Sequence, residues 1–317
     1  MTYSPTVSRT LLITGATGNQ GRAVIRALLA SPECSNAFKI LALTRNIYSP
    51  PAAALAAKFP DVKLVEGNLN DPSAVFKSAA TPIWGIFSVQ NSMIRGSNNE
   101  IEERQGKELV DAAILHKVEH FVYASVDRHG ARSDTDPTNI PHFANKYRIE
   151  KHLKEKAAAV GGTMTWTILR PTAFMENFSS PPFGPAFMGK VFASVWRYAI
   201  PENVPLQLIS VVDIGYFGAQ AFLKYGSKEY RNTAISLTAD ELTFKDASKI
   251  CKERVGSEIP ATPNMVAWLV LKAMGDIRAM FEWCAKEHMN ADMVQCRMLH
   301  PGMLTFGEWI DKESGFV

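Results

Sequence analysis

The stretch TLLITGATGNQGRAVIRALLA, residues Thr10–Ala30, starts as an apolar strand and ends in a helical pattern. Between the two lies a loop with glycines at Gly15, Gly18 and Gly21. In such a loop the first glycine permits a tight turn, the second lets the backbone approach a diphosphate, and the third lets the helix pack against the strand. Backbone N–H groups and the helix dipole then hold the anion. The stretch predicts a nucleotide-binding loop, and a turn that merely uses glycine is the alternative.

Apolar runs of strand length alternate with helical patterns over the first half of the chain. The predicted strands are Leu11–Thr14, Lys39–Thr44, Val62–Gly67, Ile83–Val89, His120–Ser125 and Thr165–Arg170. Most of these runs are almost continuously apolar, which is typical of parallel strands buried on both faces. Repeated βα units of this kind predict an α/β fold with a doubly wound parallel sheet.

The pattern changes after Pro171, where an aromatic, proline-broken stretch begins. Another strand and helix follow at LQLIS and DIGYFGAQAFLKYG, and Thr243 with Asp246 predicts a helix start. We therefore expect a nucleotide-binding domain at 1–172, to which 206–238 return. A smaller, mostly helical C-terminal lobe for substrate binding or regulation is expected at 173–205 and 239–317.

Composition excludes several classes of protein. The chain has 317 residues with 46% hydrophobic and 21% charged residues, and its net charge is +3. That mild excess predicts neither a nucleic-acid nor a membrane partner. The four cysteines form no CxxC pair, so neither a zinc site nor a redox dithiol is expected. The longest apolar stretch, Met265–Met274, is too short to span a bilayer, and the N-terminus is unlike a secretory signal. We expect a cytoplasmic protein, with the nucleus open as a second location.

The residue after the second predicted strand bears on which nucleotide is bound. A site that prefers NAD usually has an acidic residue near this position for the ribose hydroxyls. Here the strand ends in ALTRN, with Arg45 and no acidic residue beside it. A guanidinium can bind a 2′-phosphate through two hydrogen bonds, whereas a carboxylate would repel it. Arg45 therefore favours NADP(H), and an exposed surface arginine is the alternative.

Two pairs on the helix HFANKYRIEKHLKEKAAAV compete for the role of an acid/base pair. Tyr147-x-x-x-Lys151 has the spacing used by short-chain dehydrogenases. At 100° per residue, however, this pair falls on a polar face, while His142 and Lys146 lie within the apolar arc. A lysine in that arc needs a polar partner. The partner is either a ribose or Glu150, one turn later on the helix.

Several blocks of the sequence resemble the NmrA-like group of atypical short-chain dehydrogenase/reductases and, more distantly, the isoflavone-reductase-like enzymes. The blocks are GATGNQG, LTRN, VYAS, HFANK with the following glutamate, ILRPTAFMENF, ISVVDIG and LHPGMLTFGEWI. The resemblance covers nearly the whole chain and implies a Rossmann domain with a small C-terminal lobe.

The resemblance also implies which residues bind NADP(H). They are Gly15, Thr17, Gly18, Asn19, Gln20, Gly21, Arg45, Asn68, Gln90, Asn91, Lys146 and Pro171. Lys146 would bind the nicotinamide ribose, and Pro171–Phe178 would border the nicotinamide and the substrate. Asn68 stands where family members often have an aspartate, so the adenine contact is the weakest part of this assignment.

The position of His142 leaves two functions open. Conventional relatives have a tyrosine four residues before the lysine, whereas the histidine is shared with NADPH-sensing members of the group. The chain is therefore an NADPH-dependent reductase of a carbonyl or an activated alkene, or a non-catalytic NADP(H) sensor that acts through a protein partner.

For a reductase, the candidate catalytic residues are Lys146, His142 and Ser125. Lys146 would stabilise an anionic intermediate, and His142 would donate a proton, since an imidazole can change protonation near neutrality. Ser125 would orient the substrate, or make only a hydrogen bond at the end of its strand. The candidate lining of a site for a small aromatic or apolar molecule is Trp84, Phe87, Phe174, Met175, Phe178 and Trp196, although most aromatic residues lie in a core.

Overall fold

The computed structural model describes residues 8–90, 100–179 and 186–316. These residues divide into two compact units. The first unit comprises the chain up to Ser125, Asn145–Leu169 and Ile214–Ile235. The second comprises Val126–Ala144, Arg170–Asp213 and the chain from Ser236 onward. The predicted functional division at residue 172, with 206–238 returning, stays a prediction.

Seven strands form the main sheet. They are β1 (Arg9–Ile13), β2 (Phe38–Thr44), β3 (Lys63–Glu66), β4 (Gly85–Ser88), β5 (His120–Ala124), β6 (Thr165–Pro171) and β9 (Thr233–Leu237). Their order across the sheet is β3-β2-β1-β4-β5-β6-β9. The pairs from β3 to β6 are all parallel. This is the strand order of the doubly wound Rossmann fold, so the predicted fold class is confirmed.

Helices cover this sheet on both faces. The helices of the first half of the chain are α1 (Asn19–Ala30), α2 (Pro32–Ala37), α3 (Pro50–Lys58), α4 (Pro72–Ala79), α5 (Glu100–Leu115) and α6 (Pro141–Ala159), and a later one is α8 (Val211–Leu223). On one face, α4, α5 and α6 share an apolar cluster with alternate strand residues such as Phe121 and Tyr123. On the other face, Gly218 lets α8 approach Val24 of α1 and Phe87 of β4.

The second unit contains a small sheet and most of the remaining helices. Its strands pair in the order β10 (Asp240–Leu242), β8 (Leu206–Ile209) and β7 (Ala173–Phe174). Its helices are α7 (Ala186–Ala199), α9 (Phe244–Val255), α10 (Asn264–Ala273), α11 (Gly275–Lys286), α12 (Met293–Leu299) and α13 (Phe306–Lys312). The mostly helical C-terminal part is thus as predicted. Strands β7 and β10 are too short to leave a periodic pattern, and the sequence did not predict them.

A buried aspartate organises the loop that follows β5. Asp127 is fully buried, and its two carboxylate oxygens accept four hydrogen bonds. The donors are His129 N at 3.0 Å, Gly130 N at 2.9 Å, Ser236 Oγ at 2.6 Å and Asn290 N at 3.1 Å. One side chain therefore ties together three separate segments of the second unit.

A buried glutamate, Glu176, joins two other parts of the same unit. It lies in the 3₁₀ turn Met175–Phe178 and accepts hydrogen bonds from Ser210 Oγ at 2.9 Å, Val211 N at 2.9 Å and Trp309 Nε1 at 3.1 Å. Burial raises the pKa of Glu176 to about 7, although these donors oppose the rise. The turn, the start of α8 and helix α13 therefore meet at a carboxyl group that can change charge near neutrality.

Several classes of site are absent from the described ranges. No helix within 8–90, 100–179 and 186–316 is long and apolar enough to cross a bilayer. The same residues contain no group of three His, Cys, Asp or Glu side chains arranged to hold a metal ion. The four cysteines are free thiols, and all four are buried.

Glu176 should make the stability of the protein depend on pH. The folded state keeps the proton up to about pH 7, whereas the unfolded chain loses it near the ordinary value of 4.5. Stability should therefore fall as the pH rises through this window, by about 3 kcal/mol in all. The Glu176→Gln variant lacks this titration. We expect urea unfolding from pH 5 to 8 to show wild type losing about 2–3 kcal/mol relative to Glu176→Gln.

The matched control is Glu253→Gln, which changes an exposed glutamate of α9 in the same way. Its unfolding free energy should follow that of wild type over the whole pH range. Parallel profiles for wild type and Glu176→Gln would contradict the assignment of the titrating group.

Candidate functional site

The glycine loop joins the end of β1 to the start of α1, and one threonine fixes it to β4. The Thr14 hydroxyl donates to Val89 O at 3.0 Å and accepts from Val89 N at 2.8 Å. Gly15 has φ of +56°, in the left-handed region that favours glycine. Its carbonyl accepts a hydrogen bond from Gly18 N at 2.9 Å. The loop is therefore a tight turn at the carboxyl end of the first strand, as predicted.

The third glycine allows the helix to begin directly against this turn. A Cβ atom at Gly21 would collide with the carbonyl oxygens of Gly15 and Thr14. Gly18 is the N-cap residue of α1 and, having no side chain, leaves the first turn without a side-chain cap. The orphan N–H groups of a helix N-terminus bind anions well, because the helix dipole adds to their hydrogen bonds. The loop has the shape and the donors that a diphosphate requires.

The loop after β2 contacts a carboxylate that the sequence did not predict. Arg45 is exposed, as a residue available to a ligand should be. The backbone N–H of Ile47 donates to Glu66 Oε2 at 3.3 Å, so the last residue of β3 brings a carboxylate to this loop. The residues beside Arg45 in sequence gave no sign of it, because the contact depends on the pairing of β2 with β3.

Asn68 and Gln90 follow the next two strands along the chain, β3 and β4. Asn68 is exposed, and its side chain accepts a hydrogen bond from Asn70 N at 3.0 Å, which is a local turn. Gln90 is buried and donates to Ser88 Oγ at 2.8 Å. The other amide atom, Gln90 Oε1, is buried with no hydrogen-bond partner among the described residues. Asn91 lies outside the described residues.

Lys146 is buried on α6, and its ammonium group has a partner that the sequence did not predict. Lys146 Nζ lies 3.0 Å from Glu102 Oε1 on α5 and donates to Ala124 O at 3.2 Å. Of the two predicted partners, Glu150 is wrong among the described residues, because the ion-pair partner of Lys146 comes from another helix. The ribose stays a prediction. The burial of Lys146 and the exposure of Lys151 agree with the helical wheel.

Glu150 instead bonds to Ser125, the third candidate catalytic residue. The Ser125 hydroxyl donates a short hydrogen bond to Glu150 Oε1, and both residues are buried. Ser125 N also donates to Leu169 O at 2.7 Å, which fixes the residue at the end of β5. Ser125 is thus held by α6 and β6, in the way that a residue needed at a fixed position would be.

The register of the sheet places the glycine loop and Lys146 at one edge. Ile13 pairs with Phe87, and Phe87 pairs with Val122, so the carboxyl ends of β1, β4 and β5 are level. The glycine loop and Gln90 follow the ends of β1 and β4, and Ala124, whose carbonyl accepts from Lys146, is the last residue of β5. In open α/β sheets ligands bind outside the carboxyl ends of the strands. The structure thus brings the glycine loop, Gln90, Ser125 and Lys146 to the edge where such folds bind ligands.

His142 and Pro171 belong to the second unit, whereas Tyr147 belongs to the first. His142 is half-buried and contacts Phe143, with 4.7 Å between ring centroids. Pro171 is buried, and its carbonyl accepts from Asp127 N at 3.1 Å. The tyrosine of the competing pair, Tyr147, is half-buried on α6.

Most of the aromatic candidates are core residues rather than exposed lining. Met175, Phe178 and Trp196 are buried in the second unit, and Phe87 is buried in the first. Phe174 is the half-buried exception. Trp84 precedes β4, so it lies at the amino end of that strand, and its indole N–H donates to Glu119. It is therefore at the wrong edge of the sheet to contact a ligand near the glycine loop.

Fold and loop define the class: a Rossmann-type protein with a glycine-rich β1–α1 turn. The sequence profile of the NmrA-like family matches residues 7–310. The chain belongs to the NmrA-like family.

Comparison with individual proteins gives the range of the family. The chain is 30% identical to the NmrA-like family domain-containing oxidoreductase hkm9 of Aspergillus hancockii, over 60% of this chain and 54% of that protein. The matched stretch spans about half the length of the first curated relatives.

Two solved structures share the fold over nearly the whole chain. Citrobacter sp. triphenylmethane reductase complexed with NADP(H) has a TM-score of 0.71 and 18% identity, covering 96% of this chain and 99% of that one. NmrA, described as a negative transcriptional regulator in complex with NAD, has a TM-score of 0.70 and 18% identity, with coverages of 97% and 95%. A reductase and a regulator are thus equally similar to this chain in fold, so the fold does not decide the function.

The buried ion pair predicts a specific pattern of stability. Lys146→Met leaves the Glu102 carboxylate buried without its ion-pair partner, so we expect a loss of about 3–5 kcal/mol in the free energy of unfolding. The double variant Glu102→Gln/Lys146→Met removes both charges, so its free energy of unfolding should fall clearly less than that of Lys146→Met alone. Lys151→Met, on the exposed face of the same helix, should change stability by no more than about 0.5 kcal/mol. Urea unfolding of the four proteins measures these differences, and equal losses for the two single lysine variants would refute the pairing.

Proposed function

We propose that the chain is an NADP(H)-dependent reductase that acts on a carbonyl or an activated alkene of a small aromatic or apolar molecule. The observation that carries the proposal is the glycine loop at the same sheet edge as buried Lys146. The family contains proteins named oxidoreductases, and a reductase complexed with NADP(H) has a similar fold. When bound, the dihydronicotinamide supplies a hydride.

The residues present fit a dinucleotide. Gly18 at the N-cap has no side chain, so the helix N-terminus can approach a diphosphate, and Gly21 lets that helix begin directly against the turn. Buried Gln90 Oε1 offers an acceptor that has no partner in the described protein. The proposed binding residues are Gly15, Thr17, Gly18, Asn19, Gln20, Gly21, Arg45, Asn68, Gln90, Asn91, Lys146 and Pro171.

Lys146 is the proposed centre of the chemistry contributed by the protein. An ammonium has three N–H donors, and the described residues give this one two oxygen partners, on Glu102 and Ala124. We propose that the third donor binds a ribose hydroxyl and that the positive charge stabilises negative charge on the substrate oxygen. Ser125, held by Glu150, would orient the substrate, and His142 would donate the proton.

A second function, that of a non-catalytic NADP(H) sensor, is favoured by the same ion pair. Glu102 neutralises the ammonium that catalysis would use, and His142 stands where conventional reductases have a tyrosine. A sensor would signal the binding of the nucleotide to a protein partner. The shift between its two states could not exceed the difference in their nucleotide affinity. Turnover of NADPH separates the two functions.

The decisive experiment follows NADPH absorbance with aromatic ketones, quinones and enones as substrates. The Lys146→Met/Glu102→Gln double variant tests the lysine without leaving a buried charge unpaired. Tyr147→Phe is the matched control on the same helix. We expect wild type and Tyr147→Phe to turn over and the double variant to lose at least about 100-fold in rate. Loss in Tyr147→Phe alone would assign the chemistry to the other pair, and NADPH binding without turnover in any protein would favour the sensor.

Arg45 should determine the preference for NADPH over NADH. Charge-assisted hydrogen bonds to a 2′-phosphate are worth about 1.5–3 kcal/mol. Arg45→Ala should therefore weaken the binding of NADPH about 10- to 100-fold and the binding of NADH far less. Glu66→Gln removes the carboxylate that β3 brings to this loop and should not weaken NADPH binding. Fluorescence titration of wild type and both variants with both nucleotides gives the six dissociation constants. Equal losses for NADPH and NADH in Arg45→Ala would show that the guanidinium does not bind the 2′-phosphate.

A further inference from the structure

Helix α10 is apolar on its outer face as well as its inner one. Ala267 and Leu271 are buried against the rest of the second unit. Met265, Trp268 and Leu269, which share the opposite face at i, i+3 and i+4 spacing, are 68%, 46% and 49% exposed. A surface helix ordinarily presents polar residues to water, and clustered exposed apolar side chains usually mark an interaction site.

The neighbouring helix α7 extends this apolar face. Arg197 of α7 donates to Asn264 Oδ1 at 2.8 Å and to Thr262 O at 3.1 Å, so its C-terminal half adjoins the start of α10. We call the exposed large side chains of these two helices and the α10–α11 junction the α7–α10 surface: Phe187, Met188, Tyr198, Met265, Trp268, Leu269 and Met274. It holds seven of the eleven exposed large hydrophobic residues of the described protein, so the exposure is concentrated rather than scattered.

The charges on the two helices are all of one sign. Lys190 and Arg197 on α7 and Lys272 on α10 are exposed, and neither helix contains an aspartate or a glutamate. Lys272 Nζ lies 4.9 Å from the centroid of the Trp268 ring, so a cation sits directly beside an exposed aromatic side chain. The net charge of +3 for the chain gives no hint of this local excess.

We propose that the α7–α10 surface docks on an anionic lipid bilayer. Tryptophan, leucine, methionine and phenylalanine side chains flanked by lysine and arginine are the chemistry of helices that lie in a membrane interface. Each basic residue near an anionic surface strengthens binding about fivefold, and long basic side chains keep their charges in the headgroups while their stems cover apolar area. A second copy of the chain fits less well, because the charged residues of α7 and α10 are all positive and would repel the same helices of that copy.

Docking on a bilayer replaces the expectation, based on the net charge and on the length of the longest apolar stretch, that the protein has no membrane partner. It requires contact with the interface only, since α10 has ten residues. It is also independent of the proposed reductase activity, because none of the residues of the α7–α10 surface is among the proposed cofactor or catalytic residues.

The test is co-sedimentation of the full chain with vesicles of phosphatidylcholine alone or of phosphatidylcholine with phosphatidylserine. We expect binding to the anionic vesicles, little binding to the neutral ones, and release by salt. Leu269→Glu should reduce binding at least about tenfold. Leu115→Glu is the matched control, because it changes a 73% exposed leucine of α5 in the same way and should bind as wild type does.

The basic residues are tested separately. Lys272→Gln should weaken binding to anionic vesicles about fivefold, whereas Lys63→Gln, an exposed lysine of β3, should not. Circular dichroism and thermal unfolding confirm that each variant is folded. Three results would overturn the proposal: no binding to anionic vesicles, equal loss in Leu269→Glu and Leu115→Glu, or light scattering that shows a dimer abolished by Leu269→Glu.

Discussion

The close approach of α1 to the end of β1 is the constraint on which the first unit depends. Gly21 can have no side chain, because backbone atoms of Gly15 and Thr14 fill the space. The same helix must also admit α8, since a Cβ at Gly215 would collide with the backbone of Ala23. The strand, its turn and the two helices therefore pack with their backbones in direct contact. That packing leaves the N-terminus of α1 at the carboxyl edge of the sheet, where a diphosphate would bind.

The second constraint is the cost of burying charge beside this edge. Taking an ammonium and a carboxylate out of water costs several kcal/mol per ion, and the attraction between them repays that cost only with good geometry. Lys146 is placed between Glu102 and Ala124 O, so its position is fixed before any ligand binds. A fixed cation suits catalysis, which gains from groups arranged in advance. A fixed cation equally suits a sensor, in which a bound nucleotide would compete with Glu102 for Lys146. Variants of Lys146 therefore test both functions.

Features that depend on neighbouring residues were predictable from the sequence, and features that depend on distant ones were not. Each predicted strand of the first half is present, because continuous apolar runs bounded by turns are a local signal. The burial of Lys146 followed from helical periodicity alone. Its partner did not, because Glu102 lies on another helix and only the packing of α5 against α6 brings it near. Glu66 at the loop after β2 and the four donors around Asp127 were hidden for the same reason, since strand pairing and loop closure assemble them.

A property averaged over the whole sequence, such as the net charge, can also hide a local region in which that property is very different. The segment Met265–Met274 is too short to cross a bilayer, and that remains correct. Only the structure shows that its outer face is exposed and that a second helix extends it, and every charge on both helices is positive. Acidic residues elsewhere in the chain balance those charges in the total. Because a charged surface acts over about one Debye length of some 8–10 Å, a nearby partner responds to the local arrangement rather than to the sum.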